Sequence, residues 1–399
     1  MRILVADKFP EPGLQQLRDG GHTVEFQPDL SGETLPGAVA GHEVLVVRST
    51  EVDAAVIDAA TDLALIVRAG AGTNTIDKKA AAARAIHVSN VPGRNAVAVA
   101  ELTLGLILAI DRRIADNVRD LRAGAWDKKT YSQGRGLMGR RLGIVGIGSI
   151  GLAVASRAAA FGLHLHGIAK PRRAEVEERL DELEFTMHQS VADLAAAVDI
   201  LSFHVPATAE TRRLLDRDLL ERLKPGAVII NTSRADVVDE AALLEVIDQK
   251  ELWVGADVFD DEPAAGQGEI TSVLAGHPRV YGTHHIGAST EQAQDAVAVG
   301  TLDVIEAFAA GTVINCVNLQ PRVPDTTSIT VRHRDEVGVL AGVLTLIRDA
   351  GINVEHMNNL VFDGATAASA TLDLKGAVTE SLMDRLRELP AVIHARVNT

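Results

Sequence analysis

Residues 142–162 read LGIVGIGSIGLAVASRAAAFG. A short apolar run, Leu142–Val145, leads into Gly146, Gly148 and Gly151, spaced G-x-G-x-x-G, and an alanine-rich helical pattern follows. A strand feeding a glycine turn that opens a helix is the context that gives this spacing meaning. Gly146 permits the tight turn, Gly148 lets the backbone approach a pyrophosphate, and Gly151 lets helix and strand pack closely. Ser149 and Ile150 begin the helix, whose N-terminal N–H groups face the same anion. The segment predicts a Rossmann dinucleotide-binding domain for NAD or NADP.

The next strand ends in HGIAKPRRAEV (residues 166–176). An acid for the ribose 2′-hydroxyl is expected about 20 residues after the glycines, but none stands before Glu175. Lys170, Arg172 and Arg173 occupy the stretch instead. A carboxylate would repel a 2′-phosphate and these cations would hold one, so the balance leans toward NADP.

Outward from this unit, β-type and helical patterns alternate on both sides. Arg2–Ala6, Thr23–Gln27, Val44–Arg48, Leu65–Arg68 and His87–Asn90 read as strands before it. Leu163–Ile168, Ile200–His204, Ala227–Asn231, Trp253–Val258 and Val280–Thr283 read as strands after it. Alternation of this kind implies α/β architecture with parallel sheets, and near-continuous apolar strands imply burial on both faces. A long helical pattern spans about Arg94–Arg122, and another, Thr290–Ala310, is placed to return to the first sheet. With the fingerprint in mid-chain, the expected partition is a split flavodoxin-like domain (1–93 and 287–315) around a Rossmann domain (94–286). A linker (316–325) carrying Pro321 and Pro324 follows. Residues 326–399 then read as βαββαβ, a ferredoxin-like module.

The chain has 399 residues and a formal charge of −15, so a phosphate-tracking surface for nucleic acid is not expected. The longest apolar stretch, Ala96–Ile110, is interrupted by Glu101, Thr103 and Gly105 and is too short to span a bilayer. With one cysteine, Cys316, neither an internal disulfide nor a cysteine metal cluster is expected. The N-terminus lacks a signal-peptide pattern, and a cytoplasmic location is the expectation.

Reducing a 2-oxo acid by hydride requires a cation for the carboxylate and ketone, a general acid, and a group that keeps that acid protonated. Arg234, Glu262 and His285 are candidates. Each follows a predicted strand of the dinucleotide half, where ligands of open α/β sheets bind.

The segments RSTEVDAAVIDAA, RAGAGTNTID, NAVAVAELTLGLIL, LGIVGIGSIG, LKPGAVIINTSRADVVDEAAL, GADVFDDEP and HHIGASTEQAQ together resemble the D-isomer-specific 2-hydroxyacid dehydrogenases over about the first 315 residues. The resemblance implies that Arg234 binds the substrate carboxylate and carbonyl, that His285 is the acid/base, and that Glu262 keeps it protonated. It places Asp257 near the nicotinamide carboxamide. His284 stands where the family usually has Pro, and spacing to Ile286–Gly287 selects His285 of the two. Within the family, RSTEVDAA, RAGAGTN and AWDKK resemble the branch acting on 3-phosphoglycerate. Arg48 and Arg68 are then phosphate candidates, with Lys129 a further one, and the N–H groups of Ala71 and Gly72 are carboxylate donors. Family alternatives are glyoxylate or hydroxypyruvate reduction and a non-catalytic dinucleotide sensor.

The tail segments VRHRDEVGVLAGVL and DAGINVEHM resemble the ACT domains. That likeness implies an amino-acid effector such as L-serine held by His333, Asp335 and Asn353, or a purely dimerising tail. Asp335 departs from the usual Asn, and EHMNN departs from a serine-regulated pattern. The two resemblances imply a homodimer or homotetramer.

Overall fold

A computed structural model describes residues 1–263, 267–320 and 325–398. The linker prolines Pro321 and Pro324 lie outside the described residues. The chain divides into two compact units, Met1–Asn318 and Leu319–Thr399.

The first unit holds two parallel sheets. β1 (Arg2–Val5), β2 (Thr23–Phe26), β3 (Val44–Val47), β4 (Leu65–Arg68) and β5 (His87–Asn90) form one, in the order β2-β1-β3-β4-β5. The other contains β6 (Arg141–Val145), β7 (His164–Ile168), β8 (Thr186–His188), β9 (Ile200–Phe203), β10 (Val228–Asn231), β11 (Trp253–Ala256) and β12 (Val280–Gly282), in the order β12-β11-β10-β9-β6-β7-β8. Each order reverses once, between β1 and β3 in the first sheet and between β6 and β9 in the second. Such reversals splay the following loops apart and open a crevice beyond the strand ends.

Apolar strands place a core on each face of both sheets. On the seven-stranded sheet, one face packs Leu201, Phe203, Ile229 and Val254 against Leu220, Leu243 and Val246. The opposite face packs Ile144, Ile200 and Ile230 against Leu104, Ile107 and Val154. The five-stranded sheet buries Leu4, Leu45 and Ile66 on one face. On the other, Ile3, Val46 and Val67 meet Leu302, Val304 and Ile305 of the helix Glu291–Ala309. The chain thus returns to its first sheet. Residues 316–318, expected in the linker, also bond to β5. Val317 N–H donates to Val88 O at 2.8 Å, and the Asn318 amide binds Val88 N and Ile86 O. Cys316 lies half-buried beside them, its thiol 3.2 Å from Asn318 Oδ1.

The helical pattern expected over 94–122 is two helices, Ala96–Asp111 and Ile114–Arg122. Arg113 between them is left-handed, with φ 50°. Its guanidinium donates twice to Asp116, at 3.0 and 2.9 Å, and the Tyr281 hydroxyl donates to the same carboxylate at 2.8 Å. This buried tie redirects the chain against its local helix preference.

In the second unit, β13 (Thr327–Arg334), β14 (Asn353–Val361), β15 (Ala367–Lys375) and β16 (Val392–Val397) form an antiparallel sheet ordered β14-β15-β13-β16. The helices Val339–Asp349 and Glu380–Arg387 give it the βαββαβ order and cover one face with Val343, Ile347, Leu382 and Leu386.

Candidate active site

The glycine turn sits at the reversal of the seven-stranded sheet. Gly146 has φ 97°, and a Cβ there would fall 2.4 Å from His204 O at the end of β9. A Cβ on Gly151 would meet Gly146 O at 2.3 Å, so the helix Ser149–Ala160 can start only this close to β6 with glycine at both places. At Gly148 a Cβ would enter open space. The N–H groups of Gly148, Ser149 and Ile150 find no protein acceptor among the described residues. Free donors around an open cradle at a helix N-terminus suit a pyrophosphate, and the residues present fit a dinucleotide.

Beyond β7, Ala169 and Lys170 are exposed. Arg172 folds back over the strand end, donating to Ile168 O at 2.6 Å and Lys170 O at 3.1 Å. Its Nε is buried without a protein partner.

The loop after β10 carries Arg234, and Asn231 shapes it. Asn231 Oδ1 accepts from Ser233 N–H and Oγ at 3.1 and 2.7 Å, while Nδ2 donates to Arg234 O at 2.9 Å. This loop meets the one after β4: a Cβ on Gly72 would come within 2.3 Å of an Arg234 Nη. The N–H groups of Ala71 and Gly72 have no protein acceptor among the described residues, and Asn90 Nδ2 donates to Ala71 O at 2.6 Å. Arg68 lies beside them. Burial, then repulsion from Arg234 and Arg48, pulls its guanidinium down to about 10, with Asp7 opposing. Its Nε is buried and unpartnered. Three guanidiniums of one sign have gathered where a compact anion would relieve them. Lys129 is exposed on the short helix Lys128–Tyr131.

His285 is left-handed, with φ 52°. Its Nδ1 is 2.7 Å from Glu262 Oε2, and Glu262 Oε1 accepts from Phe259 N–H at 2.9 Å. The Glu262 hydrogen bond raises the imidazole above its ordinary value, against burial and Arg234. Burial would raise the Glu262 carboxyl, but the bonds from His285 and Phe259 outweigh it and hold it low. Nδ1 is thereby committed to Glu262, which leaves Nε2 for a substrate. His284 is exposed, and its ring makes no hydrogen bond among the described residues.

Asp257 is buried, and both of its oxygens are engaged by the chain. Oδ1 accepts from Thr283 Oγ1 and Ile286 N–H at 2.6 and 2.9 Å, and Oδ2 accepts from Gly287 N–H at 2.8 Å. A Cβ on Gly287 would lie 2.9 Å from Oδ2. The carboxylate therefore clamps the loop that carries His285. Asn231 went unremarked in the sequence, although a polar residue closing the apolar run AVIIN was a signal.

In the second unit, His333 is buried. Its Nδ1 bonds Arg334 O at 2.7 Å and its Nε2 bonds Asn359 Oδ1 at 3.1 Å. Asn353 is exposed and bonds Glu355, and Asp335 is exposed. The three expected effector residues are therefore unlike in setting, and His333 is already engaged on both nitrogens. Among the described residues, no group of three or more His, Cys, Asp or Glu gathers to hold a metal, and no helix is long and apolar enough to cross a membrane.

A dinucleotide cradle, a carboxylate-backed histidine and an arginine at facing strand ends define a dehydrogenase of hydroxy or oxo acids. Comparison with known proteins narrows the class. Residues 104–287 match the NAD-binding domain of the D-isomer specific 2-hydroxyacid dehydrogenases, and residues 327–391 match the ACT domain. D-3-phosphoglycerate dehydrogenase of Methanocaldococcus jannaschii is 33% identical over 386 residues, covering 96% of this chain and 71% of that protein. The same-named protein of Archaeoglobus fulgidus is 35% identical over 80% of this chain, which spans only 59% of that relative's length. Hydroxypyruvate reductase of Thermotoga maritima is 37% identical over 76% of this chain and 97% of its own. The crystal structure of the TT0316 protein from Thermus thermophilus superposes with TM-score 0.70 at 34% identity, over 79% of this chain and all of that one. The chain belongs to the D-isomer-specific 2-hydroxyacid dehydrogenases and carries an ACT domain.

Proposed function

We propose that this protein is a D-3-phosphoglycerate dehydrogenase, which oxidises 3-phosphoglycerate to 3-phosphohydroxypyruvate in the first step of L-serine biosynthesis. The observation that carries the reading is the cluster of Arg48, Arg68 and Arg234, in which the Arg68 Nε is buried without a protein partner and its guanidinium is lowered first by burial and then by Arg234 and Arg48. An unphosphorylated 2-oxo acid offers one carboxylate to this cluster, whereas the phosphorylated one offers two anionic ends.

Arg234 binds the carboxylate and polarises the carbonyl, aided by the free N–H groups of Ala71 and Gly72. Arg48 and Arg68 take the phosphate. In the oxidative direction neutral His285 removes the hydroxyl proton through Nε2, and Glu262 stabilises the resulting imidazolium. In reduction the protonated ring returns that proton to the new alkoxide. Gly146, Gly148, Ser149, Ile150 and Gly151 would hold the dinucleotide, and its nicotinamide supplies the hydride acceptor. Asp257 positions His285 through its loop.

Lys170, Arg172 and Arg173, together with Ala169 in place of the ribose carboxylate, favour NADP over NAD. The domain reading comprises a split substrate domain, an inserted Rossmann domain and an ACT domain. The further expectations are an amino-acid effector such as L-serine, assembly as a homodimer or homotetramer, and a cytoplasmic location.

The test is steady-state oxidation of NADH and of NADPH with 3-phosphohydroxypyruvate, hydroxypyruvate and glyoxylate in parallel. Preference for the phosphorylated ketone by at least about tenfold in kcat/KM is the expected result, since one charged contact is worth about that much. Preference for hydroxypyruvate, the activity named for the Thermotoga relative, would replace the reading with that of an unphosphorylated-acid reductase.

A further inference from the structure

The five-stranded sheet also reverses, and two of its chain segments meet there. Asp7 follows β1, and Arg48, Ser49 and Thr50 follow β3, its neighbour. Asp7 Oδ2 accepts three successive backbone N–H bonds, from Arg48 at 2.6 Å, Ser49 at 3.0 Å and Thr50 at 3.0 Å. Three consecutive amides turned onto one oxygen form a concave anion cradle, filled here by the chain's own carboxylate. The Thr50 hydroxyl lies 3.4 Å from Ala6 O and 3.3 Å from Leu30 O, which pins the far end of the loop.

Two consequences follow. The Arg48 backbone is the first of the three donors, so the direction in which its guanidinium leaves the loop depends on Asp7. The same carboxylate also favours the charged form of Arg68, against burial, Arg234 and Arg48. One side chain thus holds the loop that carries Arg48 and favours the charge on Arg68.

We propose that Asp7 is a positioning residue for the substrate's phosphate. It acts through the Arg48–Thr50 loop and touches no reacting atom. This inference rests on the reading that Arg48 takes that phosphate.

The experiment compares wild type, Asp7→Ala, Asp7→Asn, Arg48→Ala and the Asp7→Ala/Arg48→Ala double variant. Each is assayed for reduction of 3-phosphohydroxypyruvate and of hydroxypyruvate, with circular dichroism and thermal melting to confirm the fold. Asp7→Ala is expected to raise KM for the phosphorylated ketone about 10- to 100-fold, the worth of one charge-assisted anchor. The rise for hydroxypyruvate should be at least about tenfold smaller, and the phosphorylated-substrate effect should fall on KM rather than kcat. Asp7→Asn keeps an oxygen for the three amides and should recover part of the loss. The double variant should be no worse than the poorer single one, because both remove the same contact. Equal KM increases for the two ketones, a loss confined to kcat, or additive effects would each overturn the proposal. If Asp7→Ala does not fold, Asp7→Asn with and without Arg48→Ala decides by the same split. A wild type that does not prefer the phosphorylated ketone refutes the reading of Arg48 itself, a failure separate from that of Asp7.

Discussion

Replacing Glu262 by Gln keeps the shape of the side chain that faces His285 but removes its charge. A hydrogen bond to a charged partner contributes roughly 1.5–3 kcal/mol. The two side chains retain 51% and 34% of their exposure, so screening favours the low end, about 1.5 kcal/mol. At about 1.4 kcal/mol per tenfold, kcat for ketone reduction should fall roughly tenfold near neutral pH. The pH dependence carries the sharper test. The Glu262 bond is the largest cause holding the imidazole above its ordinary value, with burial and Arg234 acting against it. Reduction requires protonated His285, so activity is lost as pH rises through its pKa. Removing the charge must move that alkaline limb to lower pH. Oxidation requires the neutral ring, so its acid limb must move the same way and the oxidative rate at low pH must gain relative to wild type. The assay is kcat against pH from about 5 to 9 in both directions. A reductive limb at the wild-type position in the Gln variant would show that Glu262 does not set the protonation of His285, and the assignment of the pair would fall.

Four further outcomes are expected. Gly148→Ala places a methyl group in open space where the pyrophosphate would lie, so KM for the dinucleotide should rise at least about tenfold with thermal stability unchanged. Gly151→Ala forces a Cβ to 2.3 Å from Gly146 O and should lower the melting temperature, an overpacking cost of about 1–3 kcal/mol. Asn231→Ala, which frees the Arg234 loop, should reduce kcat/KM about 10- to 100-fold for 2-oxo acids while dinucleotide affinity measured by fluorescence holds. Burial pulls His204 down to about 4. The unfolded chain therefore takes up a proton below about 6.5 that the fold refuses, and His204 by itself should remove on the order of 3 kcal/mol of stability as pH drops from about 6.5 to 4. Urea midpoints of wild type and His204→Gln across that range would check this, with a shallower decline in the variant.

Much of the site could be read without coordinates because it lies at strand ends. Gly146, Gly148 and Gly151 announce a turn through spacing, and Arg234, Glu262 and His285 each follow an apolar run. Residues that act by orienting others left weaker traces. Asp257 resembles any acid after a strand until Thr283, Ile286 and Gly287 are seen around it. Asp7 and Arg48 are 41 positions apart, and only the adjacency of β1 and β3 joins them. The break at Arg113 was hidden because the flanking residues favour helix, and its cause, Tyr281, is remote in sequence. His333 could be named but its burial could not, since its partner Asn359 lies two strands away across the sheet.

The return of the chain to its first sheet has a temporal meaning. The seven-stranded sheet draws its strands from one continuous stretch, so its contacts can form as soon as that stretch exists. The five-stranded sheet completes one of its apolar faces only with Leu302, Val304 and Ile305, and Asn318 reaches Ile86 across 232 positions. During synthesis from the N-terminus, Ile3, Val46 and Val67 are covered only in part, by Leu14 and Leu17 of the helix Glu11–Asp19, while about two hundred intervening residues are made, a stretch of roughly 10–40 s at 5–20 residues per second. The nascent chain is therefore expected to fold its middle first and to need shielding of its beginning until the helix Glu291–Ala309 emerges.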